Sequence, residues 1–182
     1  GVEKNLISDN FNCHHIIVEN WDELESEKGV IFVSIPTLLD SSLAPEGKHI
    51  VHAFTPSSMS EWEGLSRKEY LQKKEKYFSF LVEKISTILP NLEKNIDHKE
   101  IGTPKTHKKF LGRYEGSYGP IPSKKLLGLL PMPFNTTKIQ NLYCVGDSCF
   151  PGQGLNAVAF SGYACAHKIG AKLNINSFKL PD

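Results

Sequence analysis

The residue types best suited to chemistry lie together in one run, Asn141-Leu142-Tyr143-Cys144-Val145-Gly146-Asp147-Ser148-Cys149-Phe150-Pro151-Gly152-Gln153-Gly154-Leu155-Asn156-Ala157. Leu142 to Val145 is apolar and of strand length, which predicts a short buried strand. Gly146-Asp147 ends it with a residue lacking a side chain and then one that accepts hydrogen bonds, so a ligand can approach the turn closely. Pro151 and Gly152 open a segment of small residues, predicted to be helical from about Gly152 to Lys172. Free amide N–H groups and a positive dipole end favour an anionic partner there. Strand, acidic turn and glycine-opened helix in one run suit the grip on a flavin.

Other chemistries fit less well. Gly152-x-Gly154-x-x-Ala157 satisfies a loose dinucleotide fingerprint, but that fingerprint needs a tight strand-to-helix turn and an acid about 20 residues on, after a second strand. Asp147 and Gly152 lie too far apart for that turn, and a short polar tail follows the helix. The segment therefore reads as a second contact to a cofactor held mainly elsewhere. Ser148 and Ser161 lack the Gly-x-Ser-x-Gly elbow of a serine nucleophile. Cys13, Cys144, Cys149 and Cys165 show neither C-x-x-C spacing nor a secreted disulfide density, which points to a reducing compartment, and the cysteines near the motif have no evident base to activate them. His14-His15 and His49-x-x-His52 are joined by no Cys or carboxylate at ligand spacing, and His49 and His52 would point to opposite faces of a strand, so no metal is expected.

Lys plus Arg number 21 against 20 Asp plus Glu, a net charge of +1, which argues against a nucleic-acid footprint. No run approaches the roughly 20 apolar residues of a membrane span.

The blocks Tyr143 to Gly154 and Ala157-Val158-Ala159-Phe160-Ser161-Gly162 closely resemble the C-terminal FAD motif of the carotenoid isomerase family, within the phytoene desaturase and retinol saturase group. Ser34-Ile35-Pro36, Asp40 to Gly47, His49 to Phe54, Thr103-Pro104-Lys105-Thr106-His107 and Gly116-Ser117-Tyr118-Gly119 resemble the same family, so the likeness runs from about Gly29 to Ala171. Leu155-Asn156 stands where the plant isomerases carry Val-Ile, and is more like the isomerase-like paralogues. The resemblance implies a C-terminal fragment lacking the N-terminal Gly-rich FAD segment and any transit peptide. It implies an α/β protein, α+β in this fragment: the C-terminal part of a two-domain FAD-binding, Rossmann-like fold with an antiparallel substrate-domain sheet. Residues 1–134 would be mainly substrate domain and 135–182 part of the FAD domain.

By the same resemblance the cofactor is FAD, held by Gly146, Asp147, Pro151, Gly152, Gln153, Gly154, Leu155, Asn156 and Ala157. Asp147 would accept a hydrogen bond from a ribityl hydroxyl; its alternative is a turn-forming aspartate bonded to its own backbone. The helix start would stabilise negative charge at the pyrimidine end of the ring. Tyr118 and Phe134 are substrate-side candidates, and no catalytic residue is assigned. The substrate would be a hydrophobic polyene, a carotenoid, converted from poly-cis to all-trans with reduced FAD and no net redox change. The alternatives are a desaturase or saturase of the same group, and a non-catalytic lipid- or partner-binding remnant. Peripheral membrane contact goes with such a substrate, at a plastid membrane in a eukaryote or the cytoplasmic membrane face in a bacterium.

These residues need elements to hold them. Phe11 to Glu19 and Gly29 to Ile35 read as strands bracketing an acidic helix, Trp21 to Lys28, and Lys48 to Thr55 reads as a third strand of an antiparallel sheet. From Arg67 to Leu89 the period becomes helical, with Tyr70, Leu71, Tyr77, Phe78, Leu81, Ile85, Ile88 and Leu89 on one face. Lys73, Lys74, Lys76, Glu83 and Lys84 lie opposite, either solvated or set against an anionic membrane. Pro90 should stop this helix, and Thr103-Pro104 should start the next. The apolar Leu126 to Phe134 is broken by prolines and reads as a loop lining a greasy passage or packed on the cofactor domain. Gly154, Ser161, Gly162 and Gly170 are costly choices for the last helix, which close approach of a sheet or cofactor would explain.

Overall fold

The computed structural model describes residues 1–24, 26–117, 119 and 132–175. They are helices and antiparallel sheets of α+β character, in two compact units, Gly1–Gly116 and Ser117–Asp182.

In the first unit β1 (Val2–Glu3), β2 (His14–Val18), β3 (Val30–Ser34), β4 (Lys48–His49) and β5 (His52–Phe54) precede the helices α1 (Arg67–Ile85) and α2 (Pro104–Leu111). β3 is the middle strand of an antiparallel sheet, Val33 lying opposite His15 on one side and Ala53 on the other. Lys48 to Thr55 is not one strand: β4 pairs with β1 instead, and only β5 joins β3. The break has a local cause, since Thr37 Oγ1 takes the Ile50 N–H at 3.2 Å while Lys48 is drawn to Glu3 and Asp97. Trp21 to Lys28 is not a helix either, but a single 3-10 turn, Trp21–Glu23, capped by Asn20. The chain must reverse between paired Val18 and Val30, and Ser26 and Gly29 close successive turns rather than extend a helix.

Ile31, Val33 and Ile35 are buried against Val82, Ile85, Leu89 and Leu92, with Val2 and Ile7 completing the core. Helix α1 begins with a reciprocal cap in which Ser66 Oγ accepts the Glu69 N–H and Glu69 accepts the Ser66 N–H. It stops at Ile85, before Pro90, because Ser86 and Thr87 turn their hydroxyls onto the carbonyls of Val82 and Lys84 at 2.7 and 2.6 Å. Leu71, expected on the apolar face, is 46% exposed; Val82 is buried instead. On the charged face Lys73 pairs with Glu61 and Lys84 with Glu19, as on an ordinary surface helix. Thr103 and Pro104 do start α2, Thr106 Oγ1 accepting the Thr103 N–H.

In the second unit α3 runs from Leu155 to Lys172. It begins later than Gly152 because Gly152 and Gly154 hold φ of 121° and 106°, outside the helical region. The buried strand expected at Leu142 to Val145 is absent: Leu142 and Val145 are 48% and 56% exposed, and one bridge, Thr136 to Tyr143, is the pairing there. Asn141 at φ 64° closes a tight turn that folds 142–145 back on 135–139, where side-chain bonds from Thr137 and Asn135 replace a ladder. Leu126 to Pro131 lies outside the described residues. Gly162 does not provide the close approach expected of it, a Cβ there meeting nothing described within 4 Å. Among the described residues no helix is long and apolar enough to cross a membrane.

Candidate functional site

Gly146 is where the chain bends, at φ 112°, a conformation that a side chain opposes. Its carbonyl accepts the Cys149 N–H at 3.2 Å, and the turn so closed holds Asp147, whose Oδ1 accepts from Ser148 Oγ at 3.3 Å. Among the described residues, a Cβ built on Gly146 or on Gly154 would meet nothing within 4 Å. The bend and the helix start therefore border open space, which leaves room for a planar ring to come against backbone. Gly152, by contrast, is buried, with Met132 Cγ 3.7 Å from the position of a Cβ.

Helix α3 presents its first turn outward. Leu155 is 83% exposed, Pro151, Gln153, Gly154 and Asn156 are exposed, and Ala157 is half-buried. The first amides of a helix have no acceptor within it, and no acidic residue occupies the first turn to neutralise the dipole. Backbone N–H groups beside an uncompensated positive end fit an electron-rich or anionic group. The donor set and the room at the glycines are thus both compatible with a flavin. Gln153 is further placed by the second unit itself, since Gly119 lies so close to it that a Cβ would overlap Gln153 Oε1.

The segment is held from beneath by two polar side chains that motif reading did not assign to the site. Asn135 Nδ2 donates to the Cys144 carbonyl at 3.0 Å and to Ser161 Oγ and O at 3.0 and 3.2 Å. Ser161 Oγ in turn accepts the Gly146 N–H at 3.3 Å. The signal for Ser161 was its polarity on the stripe Ala157, Ser161, Cys165, spaced one helical turn apart; Asn135 carried no comparable signal.

Phe134 is 54% exposed and leans on Phe150, with centroids 5.6 Å apart, which sets it beside the motif. Tyr118 lies outside the described residues. Burial pushes the Cys149 thiol up, away from nucleophilic thiolate character. Among the described residues no three His, Cys, Asp or Glu side chains gather as metal ligands.

No family model matches the chain. It is 55% identical over 177 residues, 96% of its length, to prolycopene isomerase 1, chloroplastic, of an Oncidium hybrid cultivar. To prolycopene isomerase, chloroplastic, of Arabidopsis thaliana it is 52% identical, again over 177 residues and 96% of the chain. A more distant relative is 4,4'-diapolycopen-4-al dehydrogenase of Metabacillus indicus, 29% identical over 164 residues, 86% of the chain. The chain spans about 30% of the length of these relatives. The resemblance carried by the motif blocks holds: this chain is a homologue of the prolycopene isomerases across nearly its whole length.

Proposed function

We propose, from that homology to a segment of the prolycopene isomerases, that these residues are the C-terminal portion of a plastid FAD-dependent carotenoid isomerase. It converts a poly-cis, prolycopene-like carotenoid to the all-trans form without net redox change. Residues 1–134 serve the substrate domain, and 135–182 complete the FAD-binding domain of a two-domain Rossmann-like fold. The observation that carries the reading is the open-sided bend at Gly146-Asp147 followed by the exposed, uncompensated start of α3.

Reduced FAD, when bound, supplies the electron-rich ring that promotes rotation about a polyene double bond. Asp147 accepts a hydrogen bond from the sugar-alcohol chain and so fixes how far the cofactor enters. The amides at Leu155, Asn156 and Ala157 favour negative charge at the pyrimidine end, supporting the reduced state. Pro151, Gly152, Gln153 and Gly154 shape the approach between these two contacts. Phe134, which packs on Phe150, and Tyr118 belong to the substrate side by the family pattern.

A greasy substrate is supported by the outer face of the β2-β3-β5 sheet. Ile16, Val18, Trp21, Leu24, Val30 and Phe32 line an open apolar groove of about 620 Å³, and Phe54 stacks on Phe32 at 5.0 Å. Peripheral contact with the bilayer that dissolves such substrates belongs to the proposal, supported by exposed Phe110 and Leu111 beside Lys108 and Lys109. The likeness to the Metabacillus dehydrogenase favours one second reading, an oxidoreductase on the same class of polyene.

The test uses the full-length protein. Asp147→Ala should purify with flavin content reduced several-fold, read from the visible absorption spectrum against protein concentration; an undiminished content would remove the basis of the proposal. Anaerobic incubation of the wild type with a poly-cis carotenoid, in parallel with reduced FAD and with oxidised FAD as the electron acceptor, then separates the two readings. Chromatography should show a geometric isomer of unchanged mass, whereas a product differing by two hydrogens selects the oxidoreductase.

A further inference from the structure

We infer that Asn135 and Ser161 are the positioning residues of the cofactor site, setting the Gly146-Asp147 bend against the start of α3; the inference rests on the flavin reading of residues 146–157. Among the described residues, apolar contacts at the bend are few. Leu142 and Val145 on its approach are exposed, and Gly146 has no described atom within 4 Å of where a Cβ would stand. Apolar packing therefore does not decide its position.

Hydrogen bonds do. Ser161 is 0% exposed and lies inside α3, where a serine is neither a strong helix former nor an apolar filler. Its Oγ receives the Gly146 N–H at 3.3 Å and Asn135 Nδ2 at 3.0 Å. Asn135 closes the other side, its Nδ2 donating to the Cys144 carbonyl at 3.0 Å and its backbone carbonyl accepting the Cys144 N–H at 2.9 Å. One hydrogen-bonded node, centred on buried Ser161 and half-buried Asn135, thus ties the acidic turn to the helix whose first amides form the other half of the site. Removing the hydroxyl leaves the half-buried Gly146 N–H without its acceptor and lets Asp147 and the helix start move separately. Neither residue touches the cofactor in this arrangement; both act through the backbone they hold.

The test titrates the deflavinated full-length protein with FAD. Ser161→Ala and Asn135→Ala should each weaken FAD binding about tenfold, the scale of one lost hydrogen bond. The double variant should be little weaker than either single one, because both changes open the same node. Ser161→Thr, which keeps a hydroxyl, should restore affinity. Ser161→Cys, close in volume but a weak acceptor, should reproduce the loss if the alanine variant does not fold. Cys165→Ala, buried one turn further along α3, is the packing control: it should lower the melting temperature and leave FAD affinity in place.

Wild-type FAD affinity in both single variants, with Asp147→Ala still impaired, overturns the positioning role and leaves the flavin reading intact. Losses that are fully additive, or no greater than that of Cys165→Ala at equal stability, also overturn it. Full affinity in Asp147→Ala removes the flavin reading and this inference together.

Discussion

His49 shows how a single buried polar residue ties stability to pH. It is 3% exposed, with Nδ1 2.7 Å from Thr37 Oγ1, and that hydroxyl also accepts the Ile50 N–H at 3.2 Å. The Thr37 hydroxyl has a donor hydrogen and two lone pairs, so one side chain serves both the His49 ring and the Ile50 amide. Burial, with the Lys4 charge nearby, pushes the imidazole below its ordinary value, and Asp9 offsets part of this. A lowered value means that the folded state binds the proton less readily than the unfolded chain. The contribution is therefore complete above the ordinary histidine value of about 6.5 and is lost as pH falls below it. Urea midpoints measured from neutral pH downward should decline in the wild type, and His49→Gln should flatten that decline. Equal slopes in the two proteins would assign the acid sensitivity to other groups. At this scale sequence reading set His49 and His52 on opposite faces of one strand, whereas they lie in strands of two different sheets, His49 buried and His52 exposed. It had no means to pair His49 with Thr37, twelve positions away through a strand break.

The bounds of the helices are set by local hydrogen bonds and backbone angles. Ser66 and Glu69 cap α1 reciprocally, a signature contained in four consecutive residues. Ser66→Ala should lower the unfolding free energy by about 1 kcal/mol, and Ser66→Asp, which still accepts the N–H, should keep most of it. Chemical denaturation read by far-ultraviolet circular dichroism checks both, and an unchanged midpoint in the alanine variant would show that the helix start is set by packing alone. The far end of α1 was not read correctly from Pro90, because the Ser86 and Thr87 hydroxyls compete for the last carbonyls first. Helix α3 follows the same pattern, Gly152 and Gly154 delaying its start to Leu155.

For the whole molecule the consequence of the proposed cofactor is linkage. A ligand that binds only the folded protein stabilises it by an amount that grows with the logarithm of its free concentration, about 2.7 kcal/mol at a hundredfold excess over Kd. Deflavinated full-length protein should accordingly melt lower than the holoprotein, and added FAD should raise the midpoint in proportion to that logarithm. A midpoint indifferent to FAD would separate the fold from the flavin. The gain should shrink in Ser161→Ala, since the same excess of FAD then stands at a smaller multiple of Kd.

From the residue order alone came what depends on near neighbours: the β-rich runs of β2 and β3, the amphipathic α1, the Thr103-Pro104 start of α2, the glycine-opened α3 and the motif whose likeness to prolycopene isomerases holds. Those features are set by backbone preference and side-chain period over a few residues, so they survive without knowledge of the rest of the chain. Tertiary structure alone decided that Lys48 to Phe54 serves two sheets, that Trp21 to Lys28 collapses to one turn, and that Leu142 to Val145 is an exposed hairpin arm. It alone joined Asn135 to Ser161 beneath the bend. These outcomes turn on hydrogen bonds outside any regular ladder, some between near neighbours and some, as from Asn135 to Ser161, between distant ones, and a donor's choice among competing acceptors is made only when folding brings them together.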